Sequence, residues 1–156
     1  MRNLFRIAAA TSFLGLFLSC ASGQEIAIVV NKSNPVDTVT AVQLKKILLG
    51  EQTTWAGGKQ VMVLLRNAGS PERQIPLQAI CGMTEIDFNQ YFTHASFNGG
   101  TASEPKSLSS AAMLRQLVTT LPGAIGFLAV GDVSDAVKLI KLEGVAPGGA
   151  DYKLKK

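Results

Sequence analysis

Histidine is almost missing from this 156-residue sequence, in which His94 is the single copy. Nucleophilic triads and zinc sites both lean on histidine, and no cysteine or carboxylate pair stands beside His94 to build one. The patterns HExxH, CxxC, GxSxG, GxGxxG and the P-loop are absent as well. The close carboxylates Glu85 and Asp87 fall at a helix N-terminus, where capping and the macrodipole account for them. No catalytic residue, metal ligand set or cofactor motif is therefore expected, and the chain does not read as an enzyme.

Cysteine is scarce too, with Cys20 and Cys81 only. If the leader is removed, Cys81 is alone and no intramolecular disulfide can form, so stability must come from the core. Among the apolar neighbours of "LQAICGM", Cys81 reads as a small buried hydrophobe. No apolar run reaches the roughly 20 residues that cross a bilayer, so no transmembrane span is expected. Strong charge is also lacking. Fifteen basic residues, less Arg2 and Arg6 of the leader, leave thirteen against eleven acidic ones, a net +2. That balance argues against a nucleic-acid surface, which shows as clustered Lys and Arg.

What is present begins with a leader. Arg2 and Arg6 precede an apolar run over residues 7–18 and the small-residue segment "SCASG", the layout of a secretory signal peptide over residues 1–23. Two routes are open: release after Gly23, which makes the mature protein periplasmic, or a lipobox reading of "LSCA" that leaves a lipidated Cys20. Phe17 stands three places before that cysteine, where Leu is usual.

With 47% hydrophobic and 17% charged residues, the rest suits one domain with a core, over 24–148, followed by a loose tail over 149–156. The β-branched run "EIAIVV" predicts a buried strand, and Thr40 caps a helix "AVQLKKILLG" that Gly50 stops. Trp55, ahead of a Gly-Gly pair, reads as a lid on the core rather than as a binding platform. "QVMVLLR" is a second strand, so uniformly apolar that both faces of its sheet must be covered. A helix follows over "RQIPLQAICG", which Pro76 suits only in its first turn.

Thr84 and Asp87 are spaced as a capping box for the next helix, on which Ile86, Phe88, Tyr91, Phe92 and Phe97 read as a core-facing stripe. "NGGTASEPKSLSS" reads as a polar connector, and Ser109 or Ser110 caps "AAMLRQLVTT". "AIGFLAV" is a third strand, and "AVKLIKLEGV" alternates as an edge strand with one wet face. The fold class expected is α/β, a three-layer α/β sandwich whose ligand sites lie at the carboxyl ends of strands near helix N-termini.

One such place is "VLLRNAGSPERQIP". If strand 61–65 leads into a helix near Pro71, Gly69 and Ser70 lie at its N-terminus, where unpaired N–H groups attract an anion. Arg66 could offer a forked pair of donors to an oxyanion. Taken alone, the same pattern also serves as an ordinary strand-to-helix connection.

Three blocks in order resemble a known family: the opening strand ending in Asn31, the pattern spelled by Leu44, Ile47, Leu49, Gly50, Trp55 and Gly57 with the Arg66/Gly69-Ser70 turn, and "PGAIGF". The chain resembles the periplasmic phosphate-binding proteins of phosphate ABC importers, and more closely their short, single-lobe relatives. The resemblance implies a single lobe of a type II periplasmic-binding-protein-like fold. It also implies a site for phosphate or a similar oxyanion at Arg66, Asn67, Gly69 and Ser70, and an ABC permease or another envelope protein as partner. Pro71 and Glu72 depart from the family pattern, standing where a glycine N–H and a threonine would donate. The competing expectation is a non-transport accessory module that has lost ligand binding and works through Trp55 or the aromatic helix.

Overall fold

The computed structural model describes residues 23–100 and 102–156. The expected leader, apart from Gly23, and with it Cys20, lies outside the described residues. The elements run β1 (Ile26–Val30), β2 (Thr38–Val39), α1 (Ala41–Leu48), β3 (Met62–Arg66), α2 (Pro71–Pro76), α3 (Glu85–Phe97), β4 (Lys106–Leu108), α4 (Ala111–Thr120), β5 (Ala124–Ala129) and β6 (Lys138–Leu142). One six-stranded sheet has the order β2-β6-β1-β5-β3-β4.

Every residue of β1 is buried, because the sheet is covered on both faces. Ile26, Ile28 and Val30 enter a core shared with α1, α2 and α3, while Ala27 and Val29 enter a smaller one under α4. This is the expected three-layer α/β sandwich. The sheet is mixed: β3 runs parallel to β4 and β5, whereas β1 is antiparallel to both β5 and β6. Strand hydrophobicity reports coverage and is blind to direction. On the α4 side, a Cβ at Gly126 would lie 2.5 Å from Leu114 Cδ2, so the glycine lets that helix sit close on β5.

The local helix signals hold. Thr40 accepts from the Gln43 N–H, Ser110 accepts from the Met113 N–H, and Thr84 with Asp87 forms a complete capping box. Four expectations need correction. α2 starts at Pro71, so Pro76 falls at its sixth position, not in its first turn. The helix then widens into a π-helical segment, Leu77–Cys81. Proline lacks the N–H and crowds the carbonyl four residues back, which favours such a change of register.

The connector holds β4, a three-residue edge strand in which only Leu108 is buried. β6 is not at the edge, since β2 pairs along its outer side. Its alternation records buried Ile140 and Leu142 around exposed Lys141. The tail is not loose: Tyr152 and Leu154 are buried, the Tyr152 hydroxyl donates to Ile26 O at 2.6 Å, and Ile26 N donates to Leu154 O at 2.8 Å. Burial, then the charge of Glu25, pushes the Tyr152 phenol well above its ordinary range.

Candidate functional site

Because β3, β4 and β5 run parallel, their carboxyl ends lie along one side of the sheet. Arg66 ends β3 in register with Leu108 of β4, and Leu108 O accepts both from Asn67 N at 3.1 Å and from Arg66 Nη1 at 3.2 Å. The chain then turns: Ser70 N donates to Asn67 O at 3.2 Å, and Gly69 takes φ +88, a left-handed conformation that other residues adopt at a cost. Ser70 is the N-cap of α2, and its carbonyl accepts from Arg73 N and Gln74 N. Its hydroxyl makes no cap bond.

Arg66 Nε and Ser70 Oγ are both buried atoms without a hydrogen-bond partner, in residues that are themselves only half-buried. Each such atom typically costs about 1–3 kcal/mol in a folded protein. The two sit on one five-residue turn whose middle, residues 67–69, is exposed. Pro71 at the first helical position has no N–H to add. Chemically, the turn offers a guanidinium and a hydroxyl beside backbone amides.

Seven residues after Arg66, Arg73 is the opposite case. It is 5% exposed and its fork grips Glu85, with Nε to Oε2 at 2.9 Å and Nη2 to Oε1 at 2.6 Å. Nη1 donates to Ser107 Oγ at 2.8 Å and to Arg66 O at 3.4 Å, and the guanidinium lies 5.7 Å from the centre of the Phe88 ring. Glu85 thus does more than complement the helix dipole, as its sequence position suggested. Asp87 does serve the cap, and the Thr84 hydroxyl, then its N–H, holds the Asp87 carboxyl below its usual range. Glu72 is 8% exposed and pairs with neither arginine: among the described residues the ion pairs are Arg73–Glu85 and Lys138–Asp37.

No family model matches the chain. Solved structures do. An ABC-type phosphate transport receptor from Vibrio cholerae aligns at 26% identity and TM-score 0.56 over 80% of this chain and 48% of its own. A putative phosphate ABC transporter substrate-binding protein with bound phosphate, from Clostridium perfringens, aligns at 25% identity and TM-score 0.64 over 78% of this chain and 46% of its own. PstS from Borrelia burgdorferi, at 13% identity, shares the fold at TM-score 0.68 over 85% of this chain and 55% of its own. The chain is a structural relative of phosphate ABC transporter substrate-binding proteins. It spans about half the length of the structures it matches.

Within this binding-protein fold, several conspicuous residues prove structural. Trp55 is 3% exposed and its Nε1 donates to Gly123 O at 2.9 Å, so it is a lid and not an exposed platform. Asn31, which ends the opening strand, donates through Nδ2 to Val118 O and Thr119 O and so caps the end of α4. Cys81 is buried, and burial pushes its thiol up to about 11. The aromatic stripe on α3 is partial: Phe88 and Phe92 are buried, whereas Ile86 and Phe97 are exposed. His94 lies exposed on the same helix. Among the described residues no cluster could hold a metal ion, and no helix is long and apolar enough to cross a membrane.

Proposed function

We propose that this chain is an exported, solute-binding-protein-like domain that holds phosphate or a similar oxyanion weakly at the carboxyl end of β3. In this reading it works in the periplasm as a binding protein rather than an enzyme, with an ABC permease or another envelope protein as partner. The observation that carries it is the pair of buried, unpartnered groups, Arg66 Nε and Ser70 Oγ, on one glycine turn at a helix N-terminus. An oxyanion would take hydrogen bonds from both and remove their desolvation cost. Arg66 supplies the charge, Ser70 the hydroxyl, and Asn67 and Gly69 the backbone of the cradle. Exposure of residues 67–69 keeps the affinity low.

Calorimetric titration of the full chain with phosphate, and with sulfate in parallel, tests this. Binding in the millimolar range or tighter is expected, and Arg66→Ala should abolish it while the fold stays intact. No heat of binding from a folded protein would overturn it.

Two features favour a second reading, an accessory module without a ligand. Pro71 withholds a donor, and Glu72 places a carboxylate two residues beyond the turn. At an effective dielectric near 20, a carboxylate about 5 Å from an anion costs on the order of 3 kcal/mol. Under this reading the titration is silent and Glu72→Gln does not restore binding.

A further inference from the structure

We infer that Arg73, held by Glu85, is a positioning residue for the anion turn: it fixes the strand end from which Arg66 projects. This rests on the oxyanion reading above. One nitrogen carries it. Arg73 Nη1 bonds at once to Ser107 Oγ on β4 and to the carbonyl of Arg66 on β3. Those two residues neighbour the groups that orient the Arg66 fork, since Arg66 Nη1 and Asn67 N both end on Leu108 O, one residue past Ser107.

Two of the remaining donors of Arg73 are fixed from another element. Nε and Nη2 close a two-bonded pair with the Glu85 carboxylate, at the first residue of α3. Phe88, one turn along the same helix, lies against the guanidinium. The guanidinium therefore ties together α2, α3, β3 and β4 at the point where both strands end. β4 is a three-residue edge strand, too short to hold its end in place by ladder bonds alone. The turn beyond Arg66 is exposed and has one backbone bond across it, Ser70 N to Asn67 O. A binding constellation needs its donors held within roughly 0.5 Å, and nothing in the turn itself supplies that constraint.

Lysine at position 73 keeps the charge and can still meet Glu85. It cannot span Glu85, Ser107 and Arg66 O together, because its donors radiate from a single atom. The experiment compares the full chain with Arg73→Lys and Ser107→Ala, at a temperature where circular dichroism shows each to be folded, and reads two quantities. The first is affinity for inorganic phosphate, expected to fall about tenfold in Arg73→Lys and a few-fold in Ser107→Ala. The second is amide hydrogen exchange without phosphate, expected to quicken at Asn67 and Ser70 while the β1 and β5 amides keep their protection.

A purely structural role predicts a lower melting temperature with turn exchange and affinity within twofold of the parent, and that result overturns the inference. If Arg73→Lys does not fold, Glu85→Gln, which keeps an acceptor for the fork, is read by the same two criteria. If the parent binds no phosphate, the oxyanion reading fails on its own, and the exchange measurement still decides whether Arg73 holds the turn.

Discussion

Arg66 and Arg73 are seven residues apart, both charged and both at the same end of the sheet, yet the fold treats them oppositely. Arg73 uses four of its five donors: two bonds to Glu85, one to Ser107, one to a main-chain carbonyl, with an aromatic ring against it. Arg66 makes one bond, from Nη1, and its buried Nε makes none. A group held on every side stabilises the protein and has little left for a ligand. An incompletely satisfied one beside an exposed turn costs stability and keeps a donor without a partner. In the proposed reading, the contrast separates the scaffold of the site from its working part.

The largest expected effect breaks the scaffold side. Arg73 is buried while Glu85 is a quarter exposed, so water recovers part of the charge left behind, and Arg73→Ala should lower unfolding stability by about 3 kcal/mol in urea titrations. Arg66→Ala should change it by less than about 1 kcal/mol, because one partly exposed neutral-acceptor bond is lost. Equal losses would erase the distinction. On the binding side the order reverses: Arg66→Ala should remove detectable phosphate binding, a loss of about a hundredfold or more, and calorimetry reads it as a missing heat.

Next in size is a pH effect at Cys81, in the π-helical segment that continues α2. Its thiol is raised from 9.0 to about 11 in the fold, so from about pH 9 the unfolded chain releases this proton while the folded one keeps it. Stability must then fall with rising pH between about 9 and 11, by roughly 2 kcal/mol from this group alone. Urea midpoints across that range, compared with Cys81→Ala, isolate the slope. An equal slope in the variant would show that the thiol is not held in an apolar site.

The smallest effect sharpens the working side. Ser70→Ala should cost about tenfold in phosphate affinity, yet leave the ligand-free protein equally stable or slightly more so. The variant removes a hydroxyl that is buried without a partner. A clear loss of stability would mean that the Ser70 hydroxyl makes a cap bond to α2.

What could be read from residue order was whatever is local in the chain. Thr40, Thr84 with Asp87, and Ser110 act within three residues of themselves, and their caps formed as spaced. The runs of β1, β3 and β5 are apolar enough to announce burial on two faces. The turn residues Arg66, Gly69 and Ser70 were legible because a glycine and a cap flank a strand end. The tail was missed although Tyr152 and Leu154 alternate with lysines, because their partners lie at Ile26, more than a hundred residues away. Glu72 stands next to Arg73 in the sequence and is not its partner. The pairing of Arg73 with Glu85 spans twelve residues and two helices, and α2 had to be placed against α3 before either could be assigned. β4 was hidden because an edge strand with one buried residue leaves no pattern.

The most direct test of the central claim watches the unpartnered nitrogen itself. In protein labelled with 15N-arginine, phosphate is titrated while the Arg66 Nε–H resonance is followed, with Arg73 Nε–H as the internal control. The account predicts a saturable downfield shift at Arg66 Nε–H, with the Arg73 signal nearly still, as an anion takes the open donor and leaves the occupied one alone. An Arg66 Nε–H signal that stays in place at saturating phosphate, or that moves no more than that of Arg73, would contradict it.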